Sequence, residues 1–123
     1  MGQIKLIDDL IQKYWKHLYH VEGGIACGDG WATLLDELME VLVVQEPDIT
    51  ILQIKEKFGT LRFYVHAAKL TSFDLIEAAE RESEHICEYC GKEAKLRDGW
   101  WLKTLCDNCH QEREKRMNKL RTK

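Results

Sequence analysis

The length and composition of the chain describe one small globular domain, or one domain with a metal-stapled appendage. It has 123 residues, of which 45% are hydrophobic and 32% charged. No segment approaches the run of roughly 18 apolar residues that a membrane span needs. The first nine residues are amphipathic and acidic, unlike a secretory signal, and we expect a cytoplasmic protein with reduced thiols.

The net charge of −3 is unevenly distributed. Residues 1–86 carry eight Lys and Arg against fifteen Asp and Glu, a net charge of −7. Residues 87–123 carry ten against six, a net charge of +4. A dedicated nucleic-acid-binding protein is usually basic over a whole face, so the acidic body disfavours that class.

The first third of the chain reads as two helices separated by a glycine-rich loop. Residues 4–19 have apolar side chains at helical spacing, and we expect the aromatic residues Tyr14, Trp15 and Tyr19 to pack in the core. The loop precedes a second helix over 31–45, for which Asp29 is the predicted cap.

Cys27, in the glycine-rich loop, is the odd cysteine of the chain. A position near a helix start can lower a thiol pKa, but a nucleophile also needs a base and an oxyanion site. Small buried cysteines are common, and no histidine accompanies Cys27 at a telling position. We therefore predict no catalytic residue and a non-enzymatic protein.

Residues 49–66 predict a β-hairpin that turns at Phe58-Gly59. Pairing Glu56 with Leu61 places Ile54 opposite Phe63 and Leu52 opposite Val65 on the buried face. The same register places Lys55 opposite Arg62 on the other face.

Like charges directly opposite each other are unfavourable, so Lys55 and Arg62 require a nearby anion. That anion is either a carboxylate of this chain, on a solvated face, or an acidic group of a partner. The predicted partner-binding residues on this hairpin are Lys55, Lys57, Arg62 and Tyr64. A third helix is predicted over 71–86, with Thr71 or Ser72 as its cap and Asp74 completing a capping box.

The strongest chemical signal is a pair of Cys-x-x-Cys motifs separated by fifteen residues. The predicted metal ligands are Cys87, Cys90, Cys106 and Cys109. Four thiolates match the tetrahedral preference of Zn²⁺, whereas two disulfides would suit an oxidising compartment. A closed four-thiolate shell leaves no position for substrate, so we predict one structural zinc ion.

The residues around the second cysteine pair suggest two contact surfaces. Asp98-Gly99 predicts a hairpin turn, and Trp100 and Trp101 follow it, one of them expected to be exposed as an anchor for a protein partner or for a stacked base. The terminal helix from 108 to about 121 is basic. Its residues Arg113, Arg116 and Lys119 are the candidates for the alternative, nucleic-acid-binding function.

Two resemblances follow from these motifs. Residues 87–113, with the order Cys-x-x-Cys-Gly, hairpin, Leu-Cys-Asp-x-Cys and helix, resemble treble-clef zinc fingers of the DksA/TraR and GATA types. The chain lacks the long coiled coil through which DksA/TraR proteins approach RNA polymerase. It also lacks the histidine pairs of HNH nucleases, which disfavours nuclease activity.

The second resemblance covers more of the chain. The segments 27–31 (CGDGW), 54–64 (IKEKFGTLRFY) and the two cysteine motifs are similar to a family of small phage, prophage and bacterial proteins. This resemblance implies a mobile-element setting and an accessory role, such as inhibition of a host or defence protein. It implies no active site.

Together these features predict an α+β fold: two helices, a β-hairpin, a third helix and a C-terminal treble-clef zinc finger. We expect an acidic body over 1–86 and a four-cysteine finger with a basic helix over 87–123. The predicted function is binding and modulation of another protein, and the alternative is a nucleic-acid-binding regulator.

Overall fold

The structure, a computed structural model, describes residues 3–66, 68–99 and 101–121. These residues form five helices and two small sheets, a mixed α and β architecture. In chain order the elements are α1 (Ile7–Lys13), α2 (Trp15–Leu18), β1 (Ile25–Ala26), α3 (Ala32–Gln45), β2 (Thr50–Lys57), β3 (Thr60–His66), α4 (Leu70–Glu82), β4 (Lys95–Arg97), β5 (Lys103–Leu105) and α5 (Asp107–Arg121). Two 3₁₀ turns, Asp29–Trp31 and Ser83–His85, lead into α3 and follow α4. None of the helices in these ranges is long and apolar enough to span a bilayer.

The four helices α1, α2, α3 and α4 and the three-stranded sheet β1–β2–β3 share one hydrophobic core. Helix α3 contributes most to it, because its apolar residues recur at helical spacing. The fully buried side chains of this core include Leu10, Trp31, Leu35, Met39, Leu42, Ile51, Ile54 and Leu61. A second, smaller cluster joins Cys87, Leu105 and Cys106.

The single helix predicted over 4–19 is instead two short helices that break at Tyr14, whose ψ is 31°. The break accompanies burial of the Tyr14 ring, and its hydroxyl donates a 2.8 Å hydrogen bond to buried Asp36. Burial and this carboxylate raise the pKa of Tyr14 to about 12. Trp15 and Tyr19 are exposed, so the prediction that all three aromatic residues lie in the core is wrong for these two.

The β2–β3 hairpin has the predicted register at its turn end, where Glu56 faces Leu61 and Lys55 faces Arg62. Beyond Gln53 the register shifts, and Ile51 rather than Leu52 faces Val65. A bulge places one extra residue in a strand and reverses the alternation of faces. It buries both Ile51 and Ile54 although they are three residues apart, and Leu52 is exposed.

The glycine-rich loop contributes a strand that the sequence did not predict. Its residues Ile25 and Ala26 pair in parallel with Ile54 and Lys55 of β2. The backbone N–H of Glu22 donates to the carbonyl of Leu52 at 3.2 Å and aligns the loop with the strand.

The capping box predicted for the third helix is not formed. Helix α4 begins at Leu70, and the Ser72 hydroxyl is buried and donates to Glu46 at 2.9 Å. Glu46, which follows α3, also accepts the backbone N–H of Lys69 at 2.7 Å. Both hydrogen bonds lower the pKa of Glu46, and the one from Lys69 has the larger effect. The carboxylate that satisfies the start of α4 therefore comes from the loop that follows α3.

Asp29 also has a different role from the one predicted. Its carboxylate accepts the backbone N–H of Ile7, the first residue of α1, at 2.9 Å. Asp29 therefore caps the N-terminus of α1, although it lies 22 positions after Ile7 in the sequence. It does not cap α3.

Replacing this distant cap is expected to destabilise the fold. Asp29→Ala removes the acceptor for a helix N–H and should lower the free energy of unfolding by about 1 kcal/mol, measured by urea denaturation. Asp74→Ala, at an exposed site in α4, is the control and should change it by less than about 0.5 kcal/mol. Equal effects of the two substitutions would contradict the capping role.

Candidate metal centre

The first cysteine pair lies in a tight turn after the 3₁₀ turn Ser83–His85. The N–H of Cys87 donates to the carbonyl of Lys92 at 2.7 Å, and the N–H of Gly91 donates to the carbonyl of Cys87 at 2.9 Å. Gly91 has a φ of 84°, a left-handed conformation that favours glycine. The turn directs both sulfurs of the pair to the same side.

The second cysteine pair straddles the junction of strand β5 and helix α5. Cys106 follows the strand, and Cys109 lies in the first turn of the helix. The backbone N–H of Cys109 donates to the sulfur of Cys106 at 3.4 Å. A helix start directs unpaired N–H groups and a partial positive charge at this sulfur, and both favour a thiolate.

The four sulfurs converge on one point. They all lie within 4.8 Å of one another, and those of Cys90 and Cys106 are 3.6 Å apart. Four sulfurs bound tetrahedrally at about 2.3 Å from a central ion lie about 3.8 Å apart. All five cysteines are free thiols, so the two-disulfide alternative does not describe this fold. The arrangement fits one thiophilic divalent cation.

The electrostatics of the cluster favour binding of a cation. The N–H of Cys109 is the main cause that lowers the pKa of Cys106 to about 7. Desolvation and the neighbouring sulfurs raise the pKa of Cys109. Crowded thiols resist holding several negative charges together, and a divalent cation removes that resistance. Within the described ranges no His, Asp or Glu joins the four cysteines, so the shell is complete without another side chain.

The glycine-rich loop holds the cysteine turn through hydrogen bonds. The N–H of Gly30 donates to the carbonyl of Glu88 at 2.8 Å, and the indole N–H of Trp31 donates to the carbonyl of Ile86 at 2.8 Å. The N–H of Gly28 donates to the Glu88 carboxylate at 3.0 Å. The motif CGDGW is therefore the part of the body that contacts the metal centre.

Two glycines of this motif leave no room for a side chain. A Cβ at Gly28 would lie 2.5 Å from the carbonyl oxygen of Glu88, and one at Gly30 would overlap the carbonyl oxygen of Cys87. Both neighbours are backbone atoms, which cannot move without moving the cysteine turn. Gly28 and Gly30 are required by close packing at this contact.

Glu88 is buried, with 3% of its surface exposed, and its charge is balanced by Lys103 of β5. The Lys103 ammonium lies 2.9 Å from Glu88 and 3.2 Å from Glu56 of β2. Burial opposes the charge of Lys103, but hydrogen bonds and attraction from Glu88 and Glu56 outweigh it and raise its pKa. One cation therefore connects the loop, the cysteine turn and the β2–β3 hairpin.

Cys27 is not an activated nucleophile in this arrangement. Burial, and then the negative charge of Glu88, raise the pKa of Cys27 to about 12. The nearby helix start does not lower this pKa, because burial and then the Glu88 carboxylate raise it. Cys27 is a neutral thiol packed against the core.

The predicted contact residues fall on two connected surfaces. Lys55 and Arg62 face each other on the outer side of the hairpin, and the Lys55 ammonium lies 5.7 Å from the centre of the Tyr64 ring. Lys57 lines a groove of about 600 Å³ with Phe58 and Trp101. Trp100 lies outside the described residues. Arg116 and Lys119 are exposed on α5, and Arg113 donates to the carbonyl of Trp101 at 3.3 Å.

Sequence reasoning missed Phe58 and Glu88. The local sequence marks Phe58 only as part of a turn, although an aromatic residue before a turn glycine is unusual. Glu88 lies between two of the predicted ligands, and the sequence contains no signal of its burial.

Comparisons of the chain with protein-family models, with curated proteins and with solved structures found no match. The function is therefore inferred from the chemistry of the residues.

The contact between loop and cysteine turn predicts an unusually costly glycine substitution. Gly30→Ala should lower the free energy of unfolding by about 2–3 kcal/mol, because the added methyl overlaps backbone. Gly23→Ala is the control: nothing lies within 4 Å of its Cβ position, and it should cost about 1 kcal/mol for its left-handed backbone. Denaturation followed by tryptophan fluorescence measures both, and a smaller loss for Gly30→Ala than for Gly23→Ala would contradict the packing argument.

Proposed function

We propose that the protein is a small, zinc-stabilised, non-enzymatic protein that binds and modulates another protein. In this proposal residues 1–86 are an acidic body, and residues 87–123 are a treble-clef zinc finger with a basic helix. The observation that carries the binding function is the conformation and exposure of Phe58.

Phe58 occupies a position that neither turn chemistry nor burial explains. It is the first residue of the two-residue loop between Lys57 and Thr60, and its φ is 55°. Gly59 has a φ of 85°, so both loop residues have the positive φ of a type I′ turn, which favours Asn-Gly. Bulky residues rarely adopt positive φ, and 64% of the Phe58 surface is exposed. Strain of this kind is characteristic of functional positions.

The groove beside Phe58 supports a protein partner. Its other aromatic wall is Trp101, which is 60% exposed and belongs to the loop between β4 and β5. Exposed aromatic side chains that flank a concave apolar surface are typical anchors of protein interfaces. The Thr104 hydroxyl donates to the carbonyl of Gly59 at 2.6 Å and holds the two hairpins together. The metal centre would thus position one wall of the binding groove.

Two further observations support a structural rather than catalytic centre. The four sulfurs would fill all positions of a tetrahedral ion, and Cys27 is a neutral, half-buried thiol. Zinc fits four converging cysteines better than the harder divalent cations, which prefer oxygen ligands. The proposed zinc ion therefore acts on the fold and not on a substrate.

The second candidate function is nucleic-acid binding through α5. It is favoured by the hydrogen bond from the Arg113 guanidinium to the backbone carbonyl of Trp101, a residue whose side chain is exposed. A basic helix and an aromatic platform suit a single strand. The charge of the body opposes this function, and binding would weaken steeply with salt.

The zinc proposal predicts one zinc ion per chain by elemental analysis. Because the ligands are thiolates, protons compete with the metal, and zinc should be released as the pH falls and retained as it rises. Chelation should unfold the chain, since zinc supplies folding free energy on the order of 10 kcal/mol in small fingers. Well under one zinc per chain in protein purified with zinc would exclude this proposal.

The binding proposal predicts a trade-off between stability and binding at Phe58. Phe58→Asn should stabilise the free protein by about 1 kcal/mol, since asparagine tolerates positive φ. It should also abolish capture of a stoichiometric protein from a bacterial lysate, and Trp101→Ala should do the same. Tyr19→Asn, at another exposed aromatic residue, is the control and should leave capture unchanged. Capture that survives both groove substitutions would contradict the proposal.

A further inference from the structure

The outer face of the β2–β3 hairpin carries a like-charged pair that the fold does not neutralise. Lys55 and Arg62 are direct cross-strand partners, an arrangement that destabilises a sheet in isolation. Among the described residues no carboxylate lies within 4.0 Å of Lys55, Lys57 or Arg62. Direct pairing of these cations with a carboxylate of the described chain is therefore not observed.

The nearby acidic groups are engaged elsewhere. Glu56 and Glu88 both bind Lys103, and Glu80 accepts the backbone N–H of Phe63 at 2.9 Å. The Nε of Arg62 is buried and has no hydrogen-bond partner within the described part of the chain. A buried donor without an acceptor is costly. Because Nε itself is closed to solvent, an external acceptor would bind the terminal nitrogens of this guanidinium.

The edges of the sheet are covered at several positions, which leaves the outer face of the hairpin for a partner. The outward N–H groups of Leu61 and Phe63 on β3 are bonded by Ser83 and Glu80, and β1 covers β2 at Ile54 and Lys55. Strand addition is therefore blocked at these positions. Lys57 lies on the same side of β2 as Lys55 and also lines the groove beside Phe58, which connects the cationic face to the proposed binding groove.

We propose that the protein partner presents an acidic segment, one carboxylate of which lies between Lys55 and Arg62 while an adjacent apolar side chain enters the Phe58–Trp101 groove. This inference rests on the proposed protein-binding function and names the chemistry of the partner. Guanidinium and carboxylate groups match in geometry and form short, charge-assisted hydrogen bonds. The partly exposed Tyr64 ring lies beside Lys55 and offers a further hydroxyl donor to the same segment.

A carboxylate segment is favoured over a nucleic-acid phosphate chain by the charge of the body. The cationic face belongs to residues 1–86, whose net charge is −7. Two cations that face each other can neutralise one or two carboxylates. A longer phosphate backbone would also approach the acidic helices and be repelled by them.

The test uses ¹⁵N-labelled, zinc-loaded protein and two acetylated peptides, Trp-Gly-Glu-Glu-Glu-Glu and its glutamine counterpart. The glutamate peptide should shift the amide signals of residues 53–64, and the glutamine peptide should bind at least about tenfold more weakly. Arg62→Gln should weaken binding by about tenfold and raise the melting temperature of the free protein, because it removes the opposed charge. Lys5→Gln, at an exposed cation outside this face, is the matched control and should change neither quantity.

Three outcomes would overturn the inference: equal binding of the two peptides, no effect of Arg62→Gln on glutamate-peptide binding, or no binding at millimolar peptide. Tighter binding of a twelve-residue oligothymidine to the same amides, with loss in salt, would assign the face to nucleic acid instead. The capture experiment with Phe58→Asn does not use these peptides. Failure of the acidic-segment inference is therefore distinguishable from failure of the proposed protein-binding function.

Discussion

The structure depends on the buried contact between Glu88 and Lys103. Glu88 lies between two cysteines of the candidate metal centre, and its carboxylate binds both Lys103 and the backbone of Gly28. Removing one member of such a buried pair leaves an uncompensated charge and is strongly destabilising. Because Lys103 also binds Glu56, the loop, the metal centre and the hairpin are coupled. The exposed aromatic residues of the groove keep their spacing through this coupling.

The sequence predicts the parts of this protein whose signals are local. The cysteine spacing indicates the metal centre, and the Glu56–Leu61 pairing follows from the alternation of apolar residues near the turn. The break at Tyr14 and the bulge at Ile51 could not be predicted, because each is set by packing against a distant element: Asp36 in one case and the core in the other. The carboxylates of Asp29, Glu46 and Glu88 act on groups far along the chain, and no local pattern marks such partners.

In the proposed function, partner binding and stability conflict at two positions of the hairpin. Phe58 has a backbone conformation that suits asparagine or glycine, and Lys55 faces Arg62 without an anion. Natural proteins break local rules at functional sites and compensate for them elsewhere. Here the compensation comes from the hydroxyl of Thr104 on the turn and from the closed edge of β3. The hairpin is therefore held in shape by its neighbours more than by its own residues.

The close approach of Gly28 and Gly30 to the cysteine turn determines the order in which the chain can fold during synthesis. Gly28 and Trp31 contact residues 60 and 55 positions later. Domains generally begin to fold from their N-terminal parts as they leave the ribosome. Here the loop of the body has no docking surface until the cysteine turn at residues 86–88 has emerged. Its earlier nascent form is an incomplete core that lacks this contact.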